Sequence, residues 1–433
     1  MEFDNSLNFS QLLRIALLKL KLRFSKNKTV VFGLYLGELQ FLKNIIELIL
    51  KEQNELNIII AHESNATYEE FCRHFEKYKN KVIHISKSLL SRKIFSEKEI
   101  DCYISSDGNG INNVTSIYTF HGQPSKGLTF EFGKLNSYDA LFLYGPLQKE
   151  ALEHFINTKL NGQFPEHITT FDVGYSKSDD LVNGKWSREK VLSKLNLPPE
   201  KKTILYAPAF NEYASLREYG PEIITKICAL KDYNVIVKLP IDCLRPAENQ
   251  YANGGVDWFS KISEFRIKFE NFRLYEENQI DPVLEASDIL ITCVSSVSFE
   301  FLVLNKPVIF IDTPRFFTHY LPKIIPHTDT TDWENLTFIN GGKEFGTEVF
   351  DLNEIPIAIE SALNTYPIQQ EEHKKITDRL LFNPGRGAEK SVQIIIQIID
   401  SKSIYKRDKV TFSILETIFN RIPFVNEILA KKF

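Results

Sequence analysis

The chain has 433 residues, 43% of them hydrophobic and 25% charged, a globular composition on a length that one compact core seldom organises, so two domains are expected. A formal net charge of -4 provides no overall basic field and excludes nucleic acid as the principal partner. The five scattered cysteines, Cys72, Cys102, Cys228, Cys243 and Cys293, form no C-x-x-C pair, which excludes a disulfide framework and a zinc knuckle and fits a reducing cytosol.

Residues 1–28 read as a basic leader with six basic and two acidic side chains. Within it Phe9, Leu12, Leu13, Ala16, Leu17, Leu20 and Phe24 recur at helical spacing, with Arg14, Lys21 and Arg23 off that stripe. Buried strands are expected at 29–35, 56–61, 82–85, 101–105 and 116–120, with a period-3.6 helix at 38–50 between the first two. A further strand at 140–144 precedes a helix at 146–155, where Pro146 suits the first turn. Gly174, Gly184, Pro198 and Pro199 then punctuate a polar stretch at 172–202, which marks a domain boundary. A second series follows, with strands at 203–207, 234–238, 288–292 and 307–312 and helices near 219–230, 296–304 and 388–400. The tail, 402–433, carries seven basic and three acidic residues around a second apolar stripe, Leu415, Ile418, Phe419 and Ile422. Each end is net +4, so the overall -4 leaves -12 for the middle.

Alternating strands and helices predict an α/β fold with two Rossmann-like domains and an active-site cleft between the carboxyl ends of their parallel strands. No apolar run approaches the roughly 20 residues of a membrane span, and the start lacks the features of a signal peptide, so the chain is expected to be neither spanning nor secreted. With no G-x-G-x-x-G and no G-x-x-x-x-G-K-[ST] loop, redox dinucleotide binding and P-loop hydrolysis lose support.

Three stretches could carry chemistry. In FHGQPSKGLTFEFGK (120–134) His121 sits at a strand's carboxyl end, Gly122 lets the backbone turn or approach a ligand, and Lys126 adds a cation. A histidine there can take a proton from an attacking hydroxyl near neutral pH. The residues alone leave open whether it does so or only hydrogen-bonds a turn. In 281–312, Ser295 or Ser296 is placed to cap a helix whose free N–H groups suit a pyrophosphate. Glu300, one turn in, could meet a ribose hydroxyl or simply complement the helix end. Lys238 at a strand end and Arg386 in the Gly-rich turn 382–389 could neutralise phosphate or be surface cations. Neither histidines nor carboxylates show metal-ligand spacing, so no metal or cofactor is expected.

HGQPSK, VGYSKSDDL (173–181), ILYAPAF and above all SDILITCVSSVSFEFLVLNKPVIFID resemble the CDP-glycerol glycerophosphotransferase family of teichoic-acid and capsule synthesis, over about residues 115–400. The resemblance implies the glycosyltransferase-B fold and transfer of an alditol phosphate from a CDP-activated donor. It also implies a growing polymer or a lipid-linked primer as acceptor, at the cytoplasmic membrane face. It implies His121 as base, Ser295, Ser296 and Glu300 as donor-binding residues, with Lys238 and Arg386 at the phosphates and Gly122 and Lys126 on the acceptor side. Two positions depart from the family pattern. Leu239 stands in VKLP where a histidine is common, and Cys293 and Val294 replace the Asp and Tyr of T-D-Y-S-S. Both bear on donor identity.

The resulting expectation is a leader at 1–28, an acceptor domain at 29–180, a nucleotide-donor domain at 181–400 and a basic tail at 401–433. The partners would be a CDP-activated alditol or other nucleotide-diphosphate donor, a polymer or lipid-linked acceptor, and an anionic membrane surface. The alternatives are a same-fold glycosyltransferase using a nucleotide sugar, a nucleotide-sugar epimerase, and a non-catalytic nucleotide-binding module.

Overall fold

The computed structural model describes residues 9–91, 94–125, 130–244, 254–324 and 333–401. Seven parallel strands form the first sheet: β1 (Lys28–Leu34), β2 (Leu56–His62), β3 (Ile83–Ser86), β4 (Cys102–Ser105), β5 (Thr115–Tyr118), β6 (Ala140–Leu143) and β7 (Thr169–Asp172). Their order is β3-β2-β1-β4-β5-β6-β7. Six parallel strands form the second: β8 (Thr203–Tyr206), β9 (Asn234–Val237), β10 (Phe272–Leu274), β11 (Ile289–Thr292), β12 (Val308–Ile311) and β13 (Thr347–Val349), in the order β10-β9-β8-β11-β12-β13. This is the doubly wound α/β architecture the sequence leads one to expect. Strands β8, β9, β11 and β12 are buried at every residue, as helix-covered parallel strands must be.

The same device starts the inner strands of both sheets. The carboxylate before β4, Asp101, accepts the Thr29 N–H of β1 at 2.8 Å, and that before β11, Asp288, accepts the Thr203 N–H of β8 at 2.8 Å. Each satisfies a donor that the neighbouring strand leaves open. The order reverses between β1 and β4 in one sheet and between β8 and β11 in the other, so each half has a crevice at the carboxyl end of its central strands.

The helix Leu39–Glu52 buries Leu42, Ile45, Ile46 and Ile49 against the first sheet, a spacing of one helical face. The last helix, Gly387–Asp400, returns to that sheet. Its Ala388, Val392, Ile395 and Ile398 join Val30, Phe32 and Leu42 in one buried cluster. Sequence order had grouped residues 387–400 with the second half, whereas their apolar face is buried on the first.

Several elements lie outside the sequence expectation, and the leader is only partly buried. Strands β7, β10 and β13 are short sheet edges of mixed polarity, TTFD, FRL and TEV, with no apolar run to mark them. The 26-residue helix Ile355–Leu380 runs through Pro367, a residue that normally argues against a helix interior. The leader folds as a helix, Phe9–Arg23, that buries Ile15 and Leu22 but leaves Leu13, Leu17, Leu20 and Phe24 outward, the last 79% exposed.

Candidate active site

The two crevices face each other across a cleft of about 260 Å³. From the first half come Gly37, Glu38, Phe41 and Lys177; from the second come Pro208, Lys238, Leu239, Asn278, Ser295, Ser296 and Glu300. A larger hollow of about 540 Å³ is lined by Thr29, Asp101, Thr115 and Asp139 at the amino ends of the first sheet's strands. That is the end opposite to where parallel sheets present ligand-binding loops.

His121 lies three residues beyond β5. Phe120, whose ring is buried, takes φ +59, and Gly122 takes φ +147, so the loop doubles back over the end of β4. There the His121 Nδ1–H donates to the Ser106 carbonyl at 3.1 Å, which leaves the Nε2 lone pair available. The ring is about half exposed (48%), its Nδ1 lies 4.0 Å from Asp107 Oδ1, and the Phe41 ring meets it edge-on at 6.3 Å. Burial lowers its pKa, and the Asp107 charge works the other way. Gly122 approaches Ser296 closely enough that a Cβ on it would stand 3.7 Å from the serine oxygen. The first-sheet loop and the second-sheet serine pair thus meet.

Ser296 occupies the N-cap position of the short helix Val297–Leu302, yet its hydroxyl makes no capping bond. The Ser295 hydroxyl accepts weakly from the Val297 N–H at 3.5 Å, and Ser298 donates to the Ser295 carbonyl at 2.6 Å. Ser296 is therefore turned to the cleft, whereas Ser295 and Ser298 tie the turn. Lys238 is buried, with its Nζ donating to the Leu239 carbonyl at 2.6 Å. Burial first, and then the nearby Lys177 charge, lower its pKa to about 8. The Leu239 and Cys293 side chains are both buried, Cys293 beside Ala209 and Ala214.

Glu300 faces the cleft but is already engaged. Lys177 Nζ lies 2.5 Å from its Oε2 and 3.9 Å from Asp281 Oδ1, and the Tyr175 hydroxyl donates to Oε1 at 3.3 Å. Burial, with a second carboxylate nearby, raises the Glu300 pKa. For Lys177, burial acts to lower the pKa, but the two carboxylates override it and hold the ammonium charged. Arg386 is not among the cleft-lining side chains. It is 69% exposed and pairs with Glu389 at 2.7 Å. The helix start behind it is occupied, because Asp179 accepts from the Gly387 and Ala388 N–H groups at 2.8 and 2.7 Å. Lys126 lies outside the described residues. Sequence reasoning did not single out Lys177, Glu38 or Asp107. Lys177 stands inside VGYSKSDDL, which was the available signal for it. Among the described residues no cluster of three or more His, Cys, Asp and Glu side chains could hold a metal ion.

The family model described as CDP-Glycerol:Poly(glycerophosphate) glycerophosphotransferase matches residues 18–314, well over half the chain. The chain belongs to this family. As a member of the glycerophosphotransferase family it is a transferase. It is 24% identical over 306 residues to the teichoic acid glycerol-phosphate primase of Bacillus subtilis strain 168, covering 60% of this chain and 74% of the primase. It is 28% identical over 149 residues to the teichoic acid poly(glycerol phosphate) polymerase of Staphylococcus epidermidis, covering 32% of this chain and 19% of that one. The fold matches the solved structure of the wall teichoic acid polymerase TagF with TM-score 0.58 at 17% identity, over 92% of this chain and 98% of the other.

Proposed function

We propose that this glycerophosphotransferase-family chain moves glycerol phosphate, or ribitol phosphate, from a CDP-activated donor to a hydroxyl of a cell-surface polymer or its lipid-linked primer. The observation that supports it is the approach of Gly122, the residue after His121, to Ser296 of the second half. The half built on the first sheet would hold the acceptor, with His121 Nε2 taking the proton of the hydroxyl that attacks phosphorus. The half built on the second would hold the donor. There Ser296, whose hydroxyl makes no capping bond, would face the diphosphate with Lys238 and stabilise departing CMP. Glu300 would act through Lys177, holding that ammonium at the cleft wall, and Arg386 would play no part at the phosphates.

Membrane association belongs to the same proposal. The outward row Leu13, Leu17, Leu20 and Phe24 recurs at helical spacing beside exposed Arg14, Lys21 and Arg23, a composition that suits an anionic lipid surface. Among the described residues no helix is long and apolar enough to cross a membrane. The tail residues 402–433 lie outside the described residues.

The test is thermal stability with CDP, UDP and GDP, followed by transfer from CDP-glycerol by wild type and His121→Ala. CDP should raise stability most, and the variant should keep that response while losing about 10²–10⁴ in rate. A larger response to UDP would transfer the proposal to a sugar donor, and near-normal turnover by His121→Ala would remove the base.

A further inference from the structure

The ring of His121 is set within a charged cluster that the transfer chemistry as described does not use. The Asp107 carboxylate follows β4, accepts the Gly108 N–H at 2.7 Å, and is gripped by the Lys134 ammonium from the helical turn Phe132–Leu135. Its Oδ1 is 4.0 Å from His121 Nδ1, too far for a hydrogen bond, and the Nδ1–H is already given to the Ser106 carbonyl. Asp107 therefore acts on the ring through space. We infer that the Lys134–Asp107 ion pair is a positioning device for His121, with Asp107 stabilising the imidazolium formed when the base takes its proton and Lys134 limiting that stabilisation. The inference rests on His121 being the base proposed above.

Among the described residues, two further ionisable side chains act on the Asp107 carboxylate, Glu38 and Lys87. Glu38, at the start of the helix Leu39–Glu52, accepts from the Ser106 hydroxyl at 3.0 Å. Burial and then the Asp107 charge raise its pKa to about 8, so it is mostly neutral at pH 7 and supplies little field. Lys87, beyond β3, lies over the Tyr35 ring, and burial lowers its pKa to about 7, so it carries only part of a charge. Phe41 and, beyond Gly122, Ser296 are uncharged. Asp107 is different. Burial opposes its ionisation, but Lys134, His121 and the Gly108 N–H hold it below the ordinary carboxylate range. It and Lys134 form the ion pair beside the ring, and their charges push the histidine in opposite directions.

This opposition gives a signature that loss of packing would not produce. Removing the Asp107 charge should make His121 a weaker base, and removing the Lys134 charge should make it a stronger one. A unit charge 4.0 Å away at a half-exposed site corresponds to a shift of about one to three pH units. The measurement is an NMR titration of the His121 ring, assigned by comparison with His121→Ala, in Asp107→Asn, Lys134→Met and Lys134→Arg. The midpoint should fall in the first, rise in the second and stay near wild type in the third. The acid limb of kcat against pH should move in the same directions, and Asp107→Asn should lose about tenfold in plateau kcat with KM for donor unchanged. Two shifts of the same sign, or no shift, overturn the inference while leaving His121 as base. Near-normal turnover by His121→Ala overturns the base itself. If Asp107→Asn does not fold, the Lys134→Met and Lys134→Arg pair decides alone.

Discussion

Lys177 offers the sharpest test of how the cleft is held together. It follows β7 at the end of the first half, yet its ammonium lies 2.5 Å from Glu300 and 3.9 Å from Asp281, both in the second. The three side chains are 5, 7 and 3% exposed, so water cannot replace a missing partner. Lys177→Met removes the cation and leaves two carboxylates facing each other in the interior. The Tyr175 hydroxyl and the Gln279 amide, 2.8 Å from Asp281, give only partial compensation. Breaking a buried pair by deleting one member costs about 3–5 kcal/mol. Replacing Glu300 by Gln in the same chain removes one of the stranded charges, so the double variant should recover about 2 kcal/mol or more. Urea unfolding of the wild type, both single variants and the double variant, each measured by fluorescence and circular dichroism, gives the coupling directly. Because burial raises the Glu300 pKa and deleting Lys177 raises it further, the Lys177→Met defect should be smaller near pH 5 than at pH 8. A loss below about 1 kcal/mol, or additive effects in the cycle, would show that the cluster does not join the two halves.

Three further outcomes follow from the same geometry. Lys238 has its pKa lowered to about 8, so its charge disappears as pH rises through that value. CDP affinity by calorimetry should accordingly fall between about pH 7 and 9 in wild type and lose that slope in Lys238→Met; a flat wild-type profile would place the lysine away from phosphate. Ser296→Ala should weaken CDP binding with less than about 0.5 kcal/mol of stability lost, since the hydroxyl makes no capping bond; unchanged affinity would deny it a donor role. In vesicle sedimentation, Leu17→Glu with Leu20→Glu should reduce binding to anionic lipid at low salt while leaving CDP-dependent stabilisation intact, and undiminished binding would remove the leader helix from the membrane contact.

The two halves, the strands that build their centres and the family were legible in the amino-acid sequence, and for a physical reason. Strands buried on both faces must be nearly continuous apolar runs, as IIIA at 58–61 and ILIT at 289–292 are, and so they mark themselves in one dimension. The placement of His121 beyond a strand end and of Ser295–Ser296 at a helix start was legible likewise, because strand ends and helix starts are local features. The edge strands β7, β10 and β13 were not, since three or four residues of mixed polarity are too short a run to declare a period. What only the tertiary structure decided is which local features meet. The turn at 382–389 looked like a phosphate site, but Asp179, some two hundred residues earlier, already occupies the helix start there, and Arg386 faces solvent with Glu389. Glu300 looked free to meet a ribose, but it is bound to Lys177 from the other half of the chain. A helix end or a carboxylate states in the sequence that it needs a partner; which charge fills that need is settled by long-range packing, and so it could not be read from the residues on either side.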